Sequence, residues 1–169
     1  SRWPGRGGTA LKLAPQASPV SFLKEHMKVL ILGASGILGQ HLRLCVPEGI
    51  TPIWHRRTAD RLHIGCDLTD DTAREAFLAE HEPDVIVNLA GESRPDVVER
   101  ESLDCRTLNA YIPRLIGKWC DLNSAHLVHV STQAVYRGDR APYRSDSDLG
   151  PIDVGRMGSV KARGIEGLQ

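Results

Sequence analysis

The sequence predicts an α/β fold with a doubly wound parallel sheet, and two patterns carry that reading. Short runs rich in Val, Ile and Leu, apolar on both faces, recur from residue 28 to residue 131. Segments with helical spacing stand between them. Strands buried on both sides and separated by helices describe a parallel sheet covered on both faces, which right-handed crossovers wind in two directions. At 169 residues the chain has room for one ordinary domain with a real core.

Residues 28–32 form a continuous apolar strand that runs into a glycine-rich turn, followed by a helix over about 37–46. A second strand is expected at 50–54 and a third at 62–65. Residues 71–81 place Ala73, Phe77 and Leu78 at helical spacing, with Asp70 or Asp71 as N-cap. A strand at 84–89, a mostly helical stretch over 97–120 and a strand at 127–131 complete the order. Residues 1–26 differ: they carry Gly, Pro, Ser and basic residues, with no acid before Glu25. They read as a flexible extension, translated upstream sequence or a cloning remnant, ahead of a domain over 27–169.

Composition excludes several classes. Lys+Arg and Asp+Glu both number 21, so the formal charge is zero and nothing attracts nucleic acid or an anionic membrane. No apolar run approaches the roughly 18–20 residues of a membrane span. Cys45, Cys66, Cys105 and Cys120 show no CxxC, which reads as free thiols in a reducing cytoplasm. His126 and His129 lie three apart on an expected strand and so point to opposite faces, which argues against a metal site.

The chemistry-bearing segment is Gly33-Ala34-Ser35-Gly36-Ile37-Leu38-Gly39. The first glycine permits a tight turn, the second lets backbone approach a pyrophosphate, and the third lets the helix pack closely on the sheet. Such a string alone is often only a loop. Here it follows a buried strand and opens a helix at the head of a βα series, which favours dinucleotide binding. At the end of the second strand stand Arg56 and Arg57, with no acid before Asp60. The planar arginine fork suits a ribose 2′-phosphate, so NADP(H) is expected ahead of NAD(H); the alternative is a solvated basic turn.

Together these residues resemble the extended short-chain dehydrogenase/reductases with a Rossmann-like fold. The GxxGxxG spacing is joined by Cys66-Asp67-Leu68-Thr69-Asp70, similar to an adenine-contacting D-x-T-D segment. Asn88-Leu89-Ala90-Gly91 resembles the turn after the fourth strand, and Asn109 the structural and active-site Asn of the next helix. Ser131-Thr132-Gln133-Ala134-Val135-Tyr136 and Gly138…Pro142-Tyr143 resemble the serine/threonine strand end and the loop after it. Over about 27–166 the chain most resembles the dTDP-4-dehydrorhamnose reductases and the broader epimerase/dehydratase group. The resemblance implies cofactor contacts from Gly33, Ser35, Gly36, Ile37, Leu38, Gly39, Arg56, Arg57, Asp67, Leu68, Leu89, Ala90, Gly91, Asn109 and Lys161.

It also implies a catalytic Ser/Thr, Tyr and Lys, of which Thr132 and Lys161 match while the tyrosine position holds Met157. A thioether has no transferable proton. Tyr136 and Tyr143 lie near enough in sequence to approach the pocket, although packing roles suit them. Some sugar-nucleotide members of the superfamily carry Met there, so the change alone does not imply inactivity. The expected function is therefore an NADP(H)-dependent reductase or epimerase/dehydratase-like protein on a nucleotide-linked keto-sugar. The alternative is a non-catalytic dinucleotide-binding module. A ligand-free structural remnant conflicts with the intact glycine loop. The family further implies a homodimer and a C-terminal substrate region that residues up to Gln169 do not reach.

Overall fold

A computed structural model describes residues 26–94, 96–97, 105–136, 142–144 and 147. Residues 1–25 lie outside them, as do Met157 and Lys161. The described strands are β1 (Met27–Leu32), β2 (Ile50–Arg56), β3 (Ile64–Gly65), β4 (Val85–Asn88) and β5 (His126–His129). They form one parallel sheet in the order β3-β2-β1-β4-β5. The chain walks outward from β1 to β3, then returns to the other side of β1 for β4 and β5. This reversal between β1 and β4 is where open α/β sheets form a crevice beyond their carboxyl ends.

Alternation along each strand sends side chains to two cores. Leu30, Leu32 and Ile86 pack with Phe77 and Leu78 of helix α2 (Asp71–His81) and Ile112, Ile116 and Cys120 of helix α3 (Ile112–Asn123). Val29, Ile31 and Ala34 face the other way, beside helix α1 (Ile37–Leu42), with Val85, Val87 and Trp54 partly buried around them. Among the described residues no helix is long and apolar enough to cross a membrane.

Local chemistry explains the element ends. The Asp70 side chain caps α2 by accepting the Ala73 N–H at 2.9 Å, as its position in the sequence leads one to expect. Helix α1 is shorter than the expected 37–46. After Leu42 the amides of Leu44 and Cys45 bond three residues back, to His41 and Leu42, and Pro47 then disfavours helical geometry at Val46.

The mostly helical stretch expected over 97–120 contains a local widening. Thr107–Tyr111 form a wide π turn in which the Ile112 N–H reaches the Thr107 carbonyl. Pro113 has no N–H to offer the Asn109 carbonyl, which accounts for the slipped pattern. Strand β5 starts one residue earlier than expected and ends at His129, so Ser131 and Thr132 lie in the irregular segment beyond it.

Candidate functional site

The carboxyl ends of β1, β2, β3 and β4 surround a cavity of about 770 Å³, within the range of cofactor clefts. Its floor is the loop after β1. Gly33 adopts φ +74, and a β-carbon there would stand 2.7 Å from the Ala90 amide nitrogen. At Gly39 a β-carbon would stand 2.3 Å from the Ala34 carbonyl. The protein's own backbone therefore forbids side chains at the first and third glycines.

Gly36 differs: a β-carbon there would meet only the Gly33 carbonyl, at 3.4 Å. Gly36 is exposed and lines the cavity. Nothing in the described protein requires a glycine there, so the bare backbone presents a surface to whatever enters. Because α1 has only six residues, the loop surface carries this argument rather than a helix dipole.

Of the residues singled out from sequence, Gly33, Ser35, Gly36, Arg56, Arg57, Asp67, Leu68, Leu89, Ala90 and Gly91 line the cavity. Gly39 is buried behind the loop, and Ile37 and Leu38 are exposed on α1 away from that lining. Asn109 is buried at 2% exposure behind the wall. Its carboxamide accepts the Glu92 N–H at 2.8 Å and donates to the Glu92 carbonyl at 2.9 Å, so it clamps the segment that follows Gly91. Thr132 lies at the mouth of a short turn over Gln133–Val135 and does not line this cavity. Tyr136 and Tyr143 stack on one another with ring centroids 4.7 Å apart.

Charge is arranged along the rim. Asp67 accepts the Thr69 hydroxyl at 2.7 Å and the Thr69 N–H at 3.0 Å, which holds its carboxyl below the usual range. Arg56 is engaged by Asp60, which also accepts the amides of Leu62 and His63. The hydrogen bond from the Leu62 amide and the Arg56 guanidinium keep Asp60 ionised well below the usual carboxylate range. Arg57 forms no ion pair among the described residues. Beyond the cavity the Arg94 guanidinium grips Glu92 with two hydrogen bonds, at 3.0 and 2.9 Å, and brings its pKa to about 2.

Sequence reasoning missed five further lining residues: His55, Cys66, Thr69, Thr107 and Leu108. Cys66 and Thr69 belong to a motif already singled out, so proximity could have found them. Thr107 and Leu108 reach the wall because of the π turn. His55 carried no signal beyond its position at a strand end.

The family described as the RmlD substrate binding domain matches residues 27–166. A dTDP-4-dehydrorhamnose reductase of Streptomyces griseus is 36% identical over 129 residues, 74% of this chain and 40% of that protein. A methionine adenosyltransferase 2 subunit beta of Xenopus tropicalis is 32% identical over 143 residues, 81% of this chain and 41% of that protein. A crystal structure of a dTDP-4-dehydrorhamnose reductase from Bacillus anthracis, in complex with NADP, is 25% identical with a TM-score of 0.72; the similarity covers 85% of this chain and 49% of that one. The chain thus spans about two-fifths of the length of the curated relatives it matches. With the five-stranded Rossmann-like sheet and its glycine loop on the same residues, the chain belongs to the RmlD substrate-binding-domain family.

Proposed function

We propose that this chain supplies the nicotinamide-dinucleotide site of a nucleotide-sugar reductase, with NADP(H) preferred over NAD(H) and a dTDP-linked keto-sugar as substrate. The observation that carries the reading is the contrast within the loop: Gly36, unlike Gly33 and Gly39, is bare for no reason internal to the protein. Relatives named as dTDP-4-dehydrorhamnose reductases, one of them in complex with NADP, support the ligand class. When bound, the cofactor supplies a hydride. The chain's residues would hold it: loop amides at the pyrophosphate, Asp67 and Leu68 at the adenine end, and Arg57 at the 2′-phosphate.

Titration with NADPH and NADH tests this. Gly36→Val should abolish binding of both while circular dichroism stays unchanged, since the new side chain fills only the cavity. Arg57→Ala should weaken NADPH by about 2 kcal/mol and leave NADH nearly unaffected. Arg56→Ala should do less, because Asp60 already occupies that guanidinium. Equal weakening of both cofactors by Arg57→Ala rejects the 2′-phosphate assignment.

A second reading, a dinucleotide-binding subunit without turnover, is favoured by Met157 at the tyrosine position and by the relative named as a subunit beta. Carbonyl reduction needs a proton for the developing alkoxide, and a placed acid contributes about a hundred- to ten-thousandfold in rate. Met157→Tyr should raise NADPH-dependent reduction of a dTDP-linked 4-keto sugar if Thr132 and Lys161 still serve chemistry. Tight NADPH binding with no turnover in either form, measured in a version that carries the C-terminal substrate region, selects the subunit reading.

A further inference from the structure

We propose that His55 is a positioning residue of the glycine loop, and that it holds the loop only as a neutral imidazole. The inference rests on the dinucleotide reading above. His55 ends β2 among its last two residues and is 2% exposed, yet it lines the cavity. Three strand ends meet on it. Its backbone carbonyl accepts the Ala34 N–H at 2.8 Å. Its Nε2 lies 2.9 Å from the Cys66 carbonyl at the end of β3. Its Nδ1 faces the Gly33 N–H at 3.5 Å, a long hydrogen bond to the first residue of the loop.

These partners dictate the tautomer. A carbonyl can only accept, so Nε2 carries the proton; an N–H can only donate, so Nδ1 must keep its lone pair. An imidazolium would turn Nδ1 into a second donor aimed at the Gly33 amide. The ring would then repel the residue whose φ of +74 sets the shape of the loop.

The surroundings support the neutral form. Burial, the largest influence, holds the His55 pKa below its ordinary value. The loop after β1 presents only the backbone of Gly33 and Ala34. The β2–β3 connection contributes His63, which disfavours a positive charge on His55, and Asp67 beyond β3 favours one. The Cys66 thiol is pushed up by burial and stays protonated. Helix α2 contributes Phe77 at 5.3 Å between ring centroids, with His81 against Phe77 at 4.5 Å and Arg74 tied to the Leu68 carbonyl. Along β2 itself Arg56 is paired with Asp60, and Arg57 follows.

The test compares NADPH affinity of wild type, His55→Phe and His55→Gln between roughly pH 8 and pH 5, the span of a histidine titration. Phe fills the space without either polar contact; Gln offers one donor and one acceptor but does not titrate. At the alkaline end His55→Phe should bind about five- to tenfold more weakly, and His55→Gln within about twofold of wild type. Toward acid, wild type should lose affinity more steeply than His55→Gln. The ligand's own phosphate titration is common to both and cancels.

A Gln variant with the wild-type pH slope overturns the inference and leaves the cofactor site standing, as does a Phe variant that binds normally. If His55→Phe fails to fold, the slope of His55→Gln decides alone. No NADPH binding by wild type at any pH removes both the dinucleotide reading and this one.

Discussion

The two faces of the sheet are built from the same strands and are held very differently. On the face toward α2 and α3, Leu30, Leu32, Ile86 and Ile116 are all 0% exposed. On the face toward α1, Val29 and Ile31 are buried, but Val85 and Val87 are only partly covered and Val128 is 51% exposed. Among the described residues, helices of eleven and twelve residues cover the first face and the six-residue α1 serves the second. Contact area between apolar groups scales with the length of helix laid on the sheet. Cohesion of the described fold therefore resides mainly on the α2/α3 side, while the α1 side carries the glycine loop.

The sharpest challenge to this contrast is a cavity on the closed face. Ile116→Ala should lower unfolding free energy by about 2–5 kcal/mol in urea titration, because a fully buried aliphatic group leaves a void. A loss below about 1 kcal/mol would mean that the two faces are equivalent.

On the α1 face the vulnerable point is a contact, not a volume. Gly39→Ala should cost about 1–3 kcal/mol, since its β-carbon would collide with the Ala34 backbone and lift α1. Asp70→Ala removes only a cap from α2 and should cost about 1 kcal/mol, read from the shift in the thermal midpoint.

Acid should act first on the closed face, where the His55 ring packs at a tilt against Phe77. The folded-state pKa of His55 is lowered by burial, so unfolding takes up a proton at acid pH. Stability is then independent of this group above its ordinary pKa of about 6.5 and declines as pH falls below it. Thermal midpoints measured from neutral to acid should show that decline in wild type and less of it in His55→Gln. The smallest effect belongs to Leu44, which is 85% exposed beyond α1: Leu44→Ser should leave stability within about 0.5 kcal/mol.

The parts legible in the sequence were those fixed by local chemistry. The continuous apolar run of β1, the Asp70 cap and the tight backbone at Gly33 and Gly39 all follow from residue type and spacing. What failed to show depended on which groups pair once the chain has folded. Leu38, Leu42 and Val46 keep a helical period, yet Pro47 and the shift to three-residue hydrogen bonds stop α1 at Leu42. Pro113 was visible, but its effect, the widened turn that brings Thr107 and Leu108 to the cavity, needs the surrounding helix to be understood. Arg56 and Arg57 read alike in sequence; only the fold shows that Asp60 engages the first. His55 gave no sign, because its neighbours come from three strands.

The clamp between Asn109 and Glu92 makes one mechanical unit of two segments seventeen residues apart. Asn109 rides in the π turn that leads into α3, and Glu92 directly follows the cavity residue Gly91. The start of α3 and the segment that leaves the cavity wall are thereby tied side chain to backbone, so displacing either one would break both hydrogen bonds.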